Sequence, residues 1–204
     1  LWEDGEETWE YNGEYLTDVI TRRTVEYIRE AAKKDAPFFT YVAYNAPHYP
    51  MHAPKKYMDR FASLPWDRQI MAAMLSAVDD GIGAVVDELE RQGIAENTLV
   101  VFMSDNGPSR ETRNWLDGTQ DPYYGGTAGK LKGHKFSLYE GGIRVPGIVA
   151  WPARIAGGRV VDVPAAAIDV FPTVLTAAGG DLGAYETDGV DLMPWLADGG
   201  DAPQ

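Results

Sequence analysis

Residues 66–92 carry apolar side chains at helical spacing, at Ile70, Met74, Ala77, Val78, Ile82, Val85 and Leu89. A stripe of this period predicts one long amphipathic helix that must bury a face along its whole length. Gly93 supplies a stop, because glycine readily takes the left-handed conformation that ends helices. Gly81 and Gly83 lie inside the pattern, where each costs stability relative to alanine, and close packing is the expected reason. A chain built around such a helix needs other elements to cover it.

Those elements follow from the same logic. Residues 14–34 place Leu16, Val19, Ile20, Tyr27, Ile28 and Ala31 on one face, with Arg22, Arg23, Arg29, Lys33 and Lys34 outside, and predict a second helix before Pro37. Basic residues in its last turn suit the negative end of the helix dipole. A short helix is expected over 54–62, with Pro54 in its first turn, and another over about 170–178, opened by Asp169 and ended by Gly179-Gly180. Three runs rich in β-formers predict buried strands: 38–44 (FFTYVAY), 98–103 and 145–151. Strands alternating with helices imply an α/β fold, a sheet with helices on its faces. Residues 1–12, 107–135 and 181–204 have no sustained period and are expected to be irregular.

Composition narrows the partners. The formal net charge is −13, which makes the chain a poor general partner for nucleic acid or an anionic membrane. There is no cysteine, so disulfides, thiolate metal sites and cysteine nucleophiles are excluded within this chain. No apolar stretch was expected to span a bilayer, and no leader peptide is visible before Leu1.

Three polar stretches follow or adjoin the predicted strands, where ligands bind in open α/β sheets. In TLVVFMSDNG the apolar run stops at Ser104-Asp105-Asn106-Gly107. Adjacent oxygen donors suit a hard cation, and Asp-Asn-Gly is equally good turn chemistry. In NAPHYPMHAP, His48 sits between prolines and could give a proton to a leaving oxygen, or serve only the surface. His52 lies four residues on, but the prolines oppose a helical pair of metal ligands. In KLKGHKFSLYEGGIRVP, lysines can neutralise an anionic oxygen or simply be solvated. Arg144 is expected to be ion-paired, with Glu140 as its partner. Between these stretches, Arg110 and Arg113 add positive charge to a loop in an acidic chain, and Trp115, Tyr123 and Tyr124 offer surfaces for a sugar or anchors for the loop itself.

Taken in order, YLTDVITRRTVEYIRE, PFFTYVAYNAPHYPMHAP, AVDDGIGAVVDELERQGIAENTLVVFMSDNG, LKGHKFSLYEGGIRVPGIVAWP and DVFPTVLTAAGG followed by DGVDLMPWL resemble the sulfatase family. These are formylglycine-dependent, calcium-binding sulfate-ester hydrolases of the alkaline-phosphatase-like superfamily. The resemblance covers most of residues 14–196. It implies that Asp105 and Asn106 are calcium ligands, that His48 hydrogen-bonds the sulfate or the departing ester oxygen, and that Lys135 holds the same group. Arg110 and Arg113 are then candidates for substrate binding, favouring a sulfated sugar. His134 stands where the family varies and receives no role.

The departures shape the rest of the expectation. The family's nucleophile arises from a Cys/Ser-x-Pro-x-Arg motif near the amino end. The nearest imitation here is Ser63-Leu64-Pro65-Trp66-Asp67-Arg68, with the arginine displaced and the order wrong, so Ser63 is read as an inert helix lead-in. The paired aspartates, lysine and histidine of the family's amino-terminal half are also missing. Residues 1–204 therefore read as an incomplete sulfatase catalytic domain: a partial alkaline-phosphatase-like sheet with flanking helices, without its nucleophile half and inactive alone. Such a piece would expose a sheet edge, and would pair with the missing half or with a second copy. By resemblance the protein would be periplasmic or secreted. Two alternatives stand beside this: a metal-dependent phosphohydrolase of the same superfamily, and a non-catalytic fragment that binds sulfated glycan.

Overall fold

The computed structural model describes residues 2–111 and 123–197. The chain divides into two compact units, one formed by residues 1–93 and 106–145 and the other by 94–105 and 146–204.

The first unit is built on helices. A two-residue hairpin, β1 (Trp2–Glu3) with β2 (Glu6–Glu7), precedes helix α1 (Leu16–Ala31). The short helix α2 (Lys55–Met58) continues into a 3-10 turn over Asp59–Phe61. Helix α3 spans Trp66–Arg91. Pro65 stands immediately before it, and Gly93, at φ +70°, closes it by donating its N–H to the Glu90 carbonyl at 2.9 Å. These bounds follow the expectation closely, because α3 carries its own start and stop signals.

α1 and α3 lie side by side and run in the same direction: Thr21 faces Gly81, and two turns further along both helices Arg29 faces Glu88. α3 also packs on α2 and the loop before it. Ala73 and Ala77 are buried with Tyr57, and Met74, 2% exposed, packs with Met51, Ile70 and Met71. Buried threonines on α1 satisfy their hydroxyls within the helix; Thr24 Oγ1 donates to the Ile20 carbonyl at 2.8 Å. Glu88, though only 1% exposed, is not a misplaced charge. It accepts from Arg29 Nε and Nη2 at 3.0 and 3.1 Å, from Gln92 at 2.8 Å, and from Arg91. The Arg29 guanidinium, followed by Gln92, holds its carboxyl below the usual range.

Two sequence expectations for α3 change. Gly81 is there for close packing, since a Cβ would collide with Thr21 Oγ1 and come within 2.7 Å of the Tyr44 hydroxyl oxygen, whereas Gly83 faces open space. By length and composition α3 could also cross a bilayer, with a window of mean hydropathy 1.4. It nonetheless packs on α1 and α2, with the Glu88 ion pair on its packed side.

The largest correction concerns 38–44. This run has strand composition but forms no strand, and Phe39 and Tyr41 are 69% and 83% exposed. Strand geometry is stable when backbone N–H and C=O groups find a neighbour; among the described residues no neighbouring strand pairs with this run. The remainder of the first unit contains β4 (Arg110–Glu111) paired antiparallel with β5 (Tyr123–Tyr124), and helix α4 (Glu140–Ile143). Both lie in or beside the stretch expected to be irregular, and both are too short to leave a periodic signature.

The second unit holds the other two predicted strands. β3 (Val100–Met103) pairs antiparallel with β6 (Gly147–Ala150), from Val100 opposite Ala150 to Met103 opposite Gly147. Among the described residues this ladder has two strands, and Val101, Phe102, Met103 and Ile148 remain substantially exposed rather than buried as expected. Helix α5 (Val170–Ala177) follows a 3-10 turn over Ala167–Asp169, and α6 spans Met193–Ala197. The tail is not loose. The buried Asp169 carboxylate accepts from the Ala166 and Val190 backbone N–H groups at 2.7 and 2.9 Å, and Thr173 Oγ1 accepts from Leu192 N–H at 2.9 Å.

Candidate functional site

The three polar stretches differ in how they are held. Asn106 opens a segment that packs on the loop before α4. Gly107 donates its N–H to the Gly142 carbonyl at 2.8 Å, and Lys135 donates its N–H to the Pro108 carbonyl at 2.9 Å. The approach needs a bare backbone at Gly107, and the receiving loop needs one at Gly142 for its own turn. A Cβ at Gly107 would sit on the Gly141 carbonyl oxygen, and one at Gly142 on the Ser137 carbonyl oxygen. Residues separated by almost thirty positions are thereby fastened together, so the structure brings the Asn106 stretch and the Lys135 stretch into one loop cluster.

Lys135 is fixed at both ends of its own backbone. Its carbonyl accepts from His134 Nδ1 at 2.7 Å, while its N–H is bound to Pro108. A carbonyl only accepts, so His134 carries its proton on Nδ1. His134, left without a role from sequence, thus anchors the main chain of its neighbour. The next residue, Phe136, has φ +74° and an exposed ring. A left-handed aromatic residue is unusual, and here the turn that returns Ser137 N–H to the His134 carbonyl at 2.9 Å sets it. The Lys135 ammonium lies 5.4 Å from the Phe136 ring centre, and that of Lys132 lies 4.0 Å from the Tyr139 ring centre.

His48 belongs to a separate loop. Its N–H donates to the Asn45 carbonyl at 2.9 Å, and its Nδ1 meets the Tyr49 carbonyl at 2.8 Å. The peptide bonds before Pro47 and Pro50 are cis. The same reasoning places a proton on Nδ1, so Nε2 is the nitrogen left for other chemistry. The side chain is exposed, and no hydrogen bond or ion pair joins it to the Lys135 cluster among the described residues. His52 does not pair with it on a metal; its ring packs edge-on against Tyr15, with centroids 5.2 Å apart.

Asp105 is exposed at the end of the second unit, and its carboxylate makes no hydrogen bond or ion pair among the described residues. Asn106 is half-buried and donates its side-chain amide to the Gly107 carbonyl at 2.8 Å, which turns the carboxamide oxygen away from that contact. Two oxygen donors of this kind fit a hard cation. They fall short of the roughly six to eight ligands calcium takes, and no group of three or more His, Cys, Asp or Glu gathers among the described residues.

The remaining candidates are less informative. Arg110 is exposed in β4, opposite Tyr124. Arg113 and Trp115 lie outside the described residues. Arg144 does pair with Glu140, at 3.0 Å, but both side chains are exposed rather than entering a buried strand. Ser63 is exposed in the turn leading into α3, as a helix lead-in should be.

With this geometry in hand, comparison with known proteins decides the class. The sulfatase family model matches residues 2–180. The chain belongs to the sulfatase family. It is 32% identical over 179 residues to arylsulfatase A of Homo sapiens, covering 88% of this chain and 32% of that protein. It is 33% identical over 207 residues to arylsulfatase J of Mus musculus, covering all of this chain and 32% of that protein. Among solved structures, Ps i-CgsB in complex with k-i-k-neocarrahexaose superposes with a TM-score of 0.82 at 36% identity, over 96% of this chain and 41% of that one. The fold is accordingly a partial α/β sulfatase domain of the alkaline-phosphatase-like kind. The chain spans about a third of the length of the curated relatives it matches.

Proposed function

We propose that this chain is the carboxyl-side part of a sulfatase catalytic domain, and that the whole protein hydrolyses sulfate esters of a sulfated carbohydrate. Asp105 and Asn106 would hold part of a calcium site, and the formylglycine nucleophile would come from residues outside this chain. Family membership supports the reaction class. The carbohydrate is supported by a neighbour whose name gives a sugar ligand, the neocarrahexaose complex of Ps i-CgsB.

The observation that carries the assignment is the fastening of Lys135 to the segment that follows Asn106. Calcium, when bound, would withdraw charge from the sulfate oxygen it touches. Lys135 presents a compact cation on a backbone clamped at both N–H and C=O, suited to hold an anionic oxygen with little reorganisation. His48 keeps Nδ1–H on the Tyr49 carbonyl and offers Nε2. In the neutral ring that nitrogen accepts; in the imidazolium it donates. Protonation of the departing ester oxygen by His48 therefore needs the charged ring. Arg110 and Arg113 would add positive charge for sulfate groups on the sugar.

The test is substitution in the whole protein, assayed by sulfate release from sulfated oligosaccharides. Lys135→Ala and His48→Ala should each lower kcat by about 100-fold; near-normal rates would remove those roles. The chain alone, given an aryl sulfate and calcium, should release no more sulfate than a heat-killed control. Metal analysis of the whole protein should return one calcium; two zinc or manganese ions would favour a phosphohydrolase instead.

A further inference from the structure

We propose that Tyr44 is a positioning residue for His48, clamped by Thr21 in a niche that exists only because residue 81 is glycine. The inference rests on the role just proposed for His48 and adds the device that aims it.

Tyr44 is the last residue before the Asn45–His48 turn. Its hydroxyl lies 2.9 Å from Thr21 Oγ1. Thr21 Oγ1 lies 2.9 Å from the Thr17 carbonyl, which can only accept, so the threonine proton is spent there. Tyr44 is consequently the donor in the Tyr44–Thr21 pair. The two hydroxyls meet over Gly81, where a Cβ would displace both. Burial pushes the Tyr44 hydroxyl's pKa up, in keeping with a phenol that stays protonated and keeps donating.

The anchor matters because of what precedes and follows it. Upstream, residues 38–43 belong to no ladder, and the Phe39 and Tyr41 side chains project into solvent. Tyr27 touches this run at the Phe38 ring, with centroids 5.9 Å apart, and donates its hydroxyl to the Phe39 carbonyl at 3.4 Å. Downstream, Ala46, Tyr49 and Met51 pack on Ile70, Met71 and Met74 of α3. Gly81 lies ten residues beyond Met71, about 15 Å along the helix axis. The loop bearing His48 is thus pinned to Thr21 of α1 through Tyr44 and to α3 through Ala46, Tyr49 and Met51, with His48 at its exposed apex. Releasing the Tyr44 pin leaves the loop held only through Ala46, Tyr49 and Met51, and the Nδ1–H bond to the Tyr49 carbonyl loses part of its fixed geometry.

The experiment reads His48 directly. The chain has three histidines, so nitrogen chemical shifts can assign each ring's tautomer by NMR. In the parent chain His48 and His134 should both show the Nδ1–H form. In Tyr44→Phe and Gly81→Ala, His48 should shift to an average of the two tautomers while His134 stays unchanged. Thr21→Ser, which keeps the acceptor oxygen, should leave His48 as in the parent; Thr21→Val should not. In the whole protein Tyr44→Phe should lower kcat about tenfold with KM little changed, since misplacement rather than lost binding is at issue. An unchanged His48 tautomer in folded Tyr44→Phe and Thr21→Val overturns the proposal. If His48→Ala leaves turnover intact while the tautomer effect is seen, the clamp stands and the catalytic role of His48 falls.

Discussion

Residues 66–91 and residues 38–44 are both apolar and both sit where a core element belongs, yet one is a complete helix and the other is unpaired chain. A helix closes its backbone hydrogen bonds within itself, so α3 needs only a surface to bury its stripe against, and α1 and α2 provide it. A strand closes none of its own. The 38–44 run has the side chains of a strand without a neighbour, and β3 and β6, with only each other, leave aromatic and aliphatic side chains in water. In this chain the helical pair is self-sufficient and the strand segments are not.

That contrast can be broken by measurement. Met74→Ala removes a buried side chain from the face of α3 that packs on Met51 and should cost about 2–5 kcal/mol in urea unfolding. Phe102→Ala in the half-exposed β3 should cost about 1 kcal/mol. Tyr41→Ser and Phe39→Ser should change stability by less than about 0.5 kcal/mol while lowering aggregation, since they remove exposed apolar surface. Equal costs at Met74 and Tyr41 would erase the distinction.

A pH series sharpens it further. Glu88 is held below the ordinary carboxylate range by Arg29, so its contribution is fully present above the unfolded value of about 4.3 and is lost as pH falls through the lower folded value. Melting temperatures taken from pH 7 down to pH 3 should fall steeply in the parent and less steeply in Glu88→Gln, whose neutral amide has no such transition. Parallel curves would show that the pair contributes nothing to acid lability.

The helices were legible because their signals are local: the stripe on α3, Gly93 after it, Pro65 before it. The α1–α3 pairing was partly legible through Gly81, which announced a close approach without naming Thr21 or Tyr44 as the neighbours. The failures have one cause. A strand at 38–44 and burial of β3 and β6 depend on partners that no local pattern contains. For the candidate site, chemistry and position pointed only to the Asp105-Asn106 turn, His48 and the lysines of 130–135, and the resemblance to the family chose Lys135 among them. The fastening of Lys135 by Pro108 and His134 could not, because it runs through main-chain atoms that every residue shares. The repeated glycines at 107, 141 and 142 were its visible trace.

Those glycines have a consequence for genetics. Where two main chains touch with no room for a methyl group, any replacement forces the strands of the cluster apart and carries the lysine with them. A random screen for inactive variants should therefore recover Gly107, Gly141 and Gly142 as often as Lys135 itself, and would tempt an observer to count as reagents three positions whose whole contribution is to be empty.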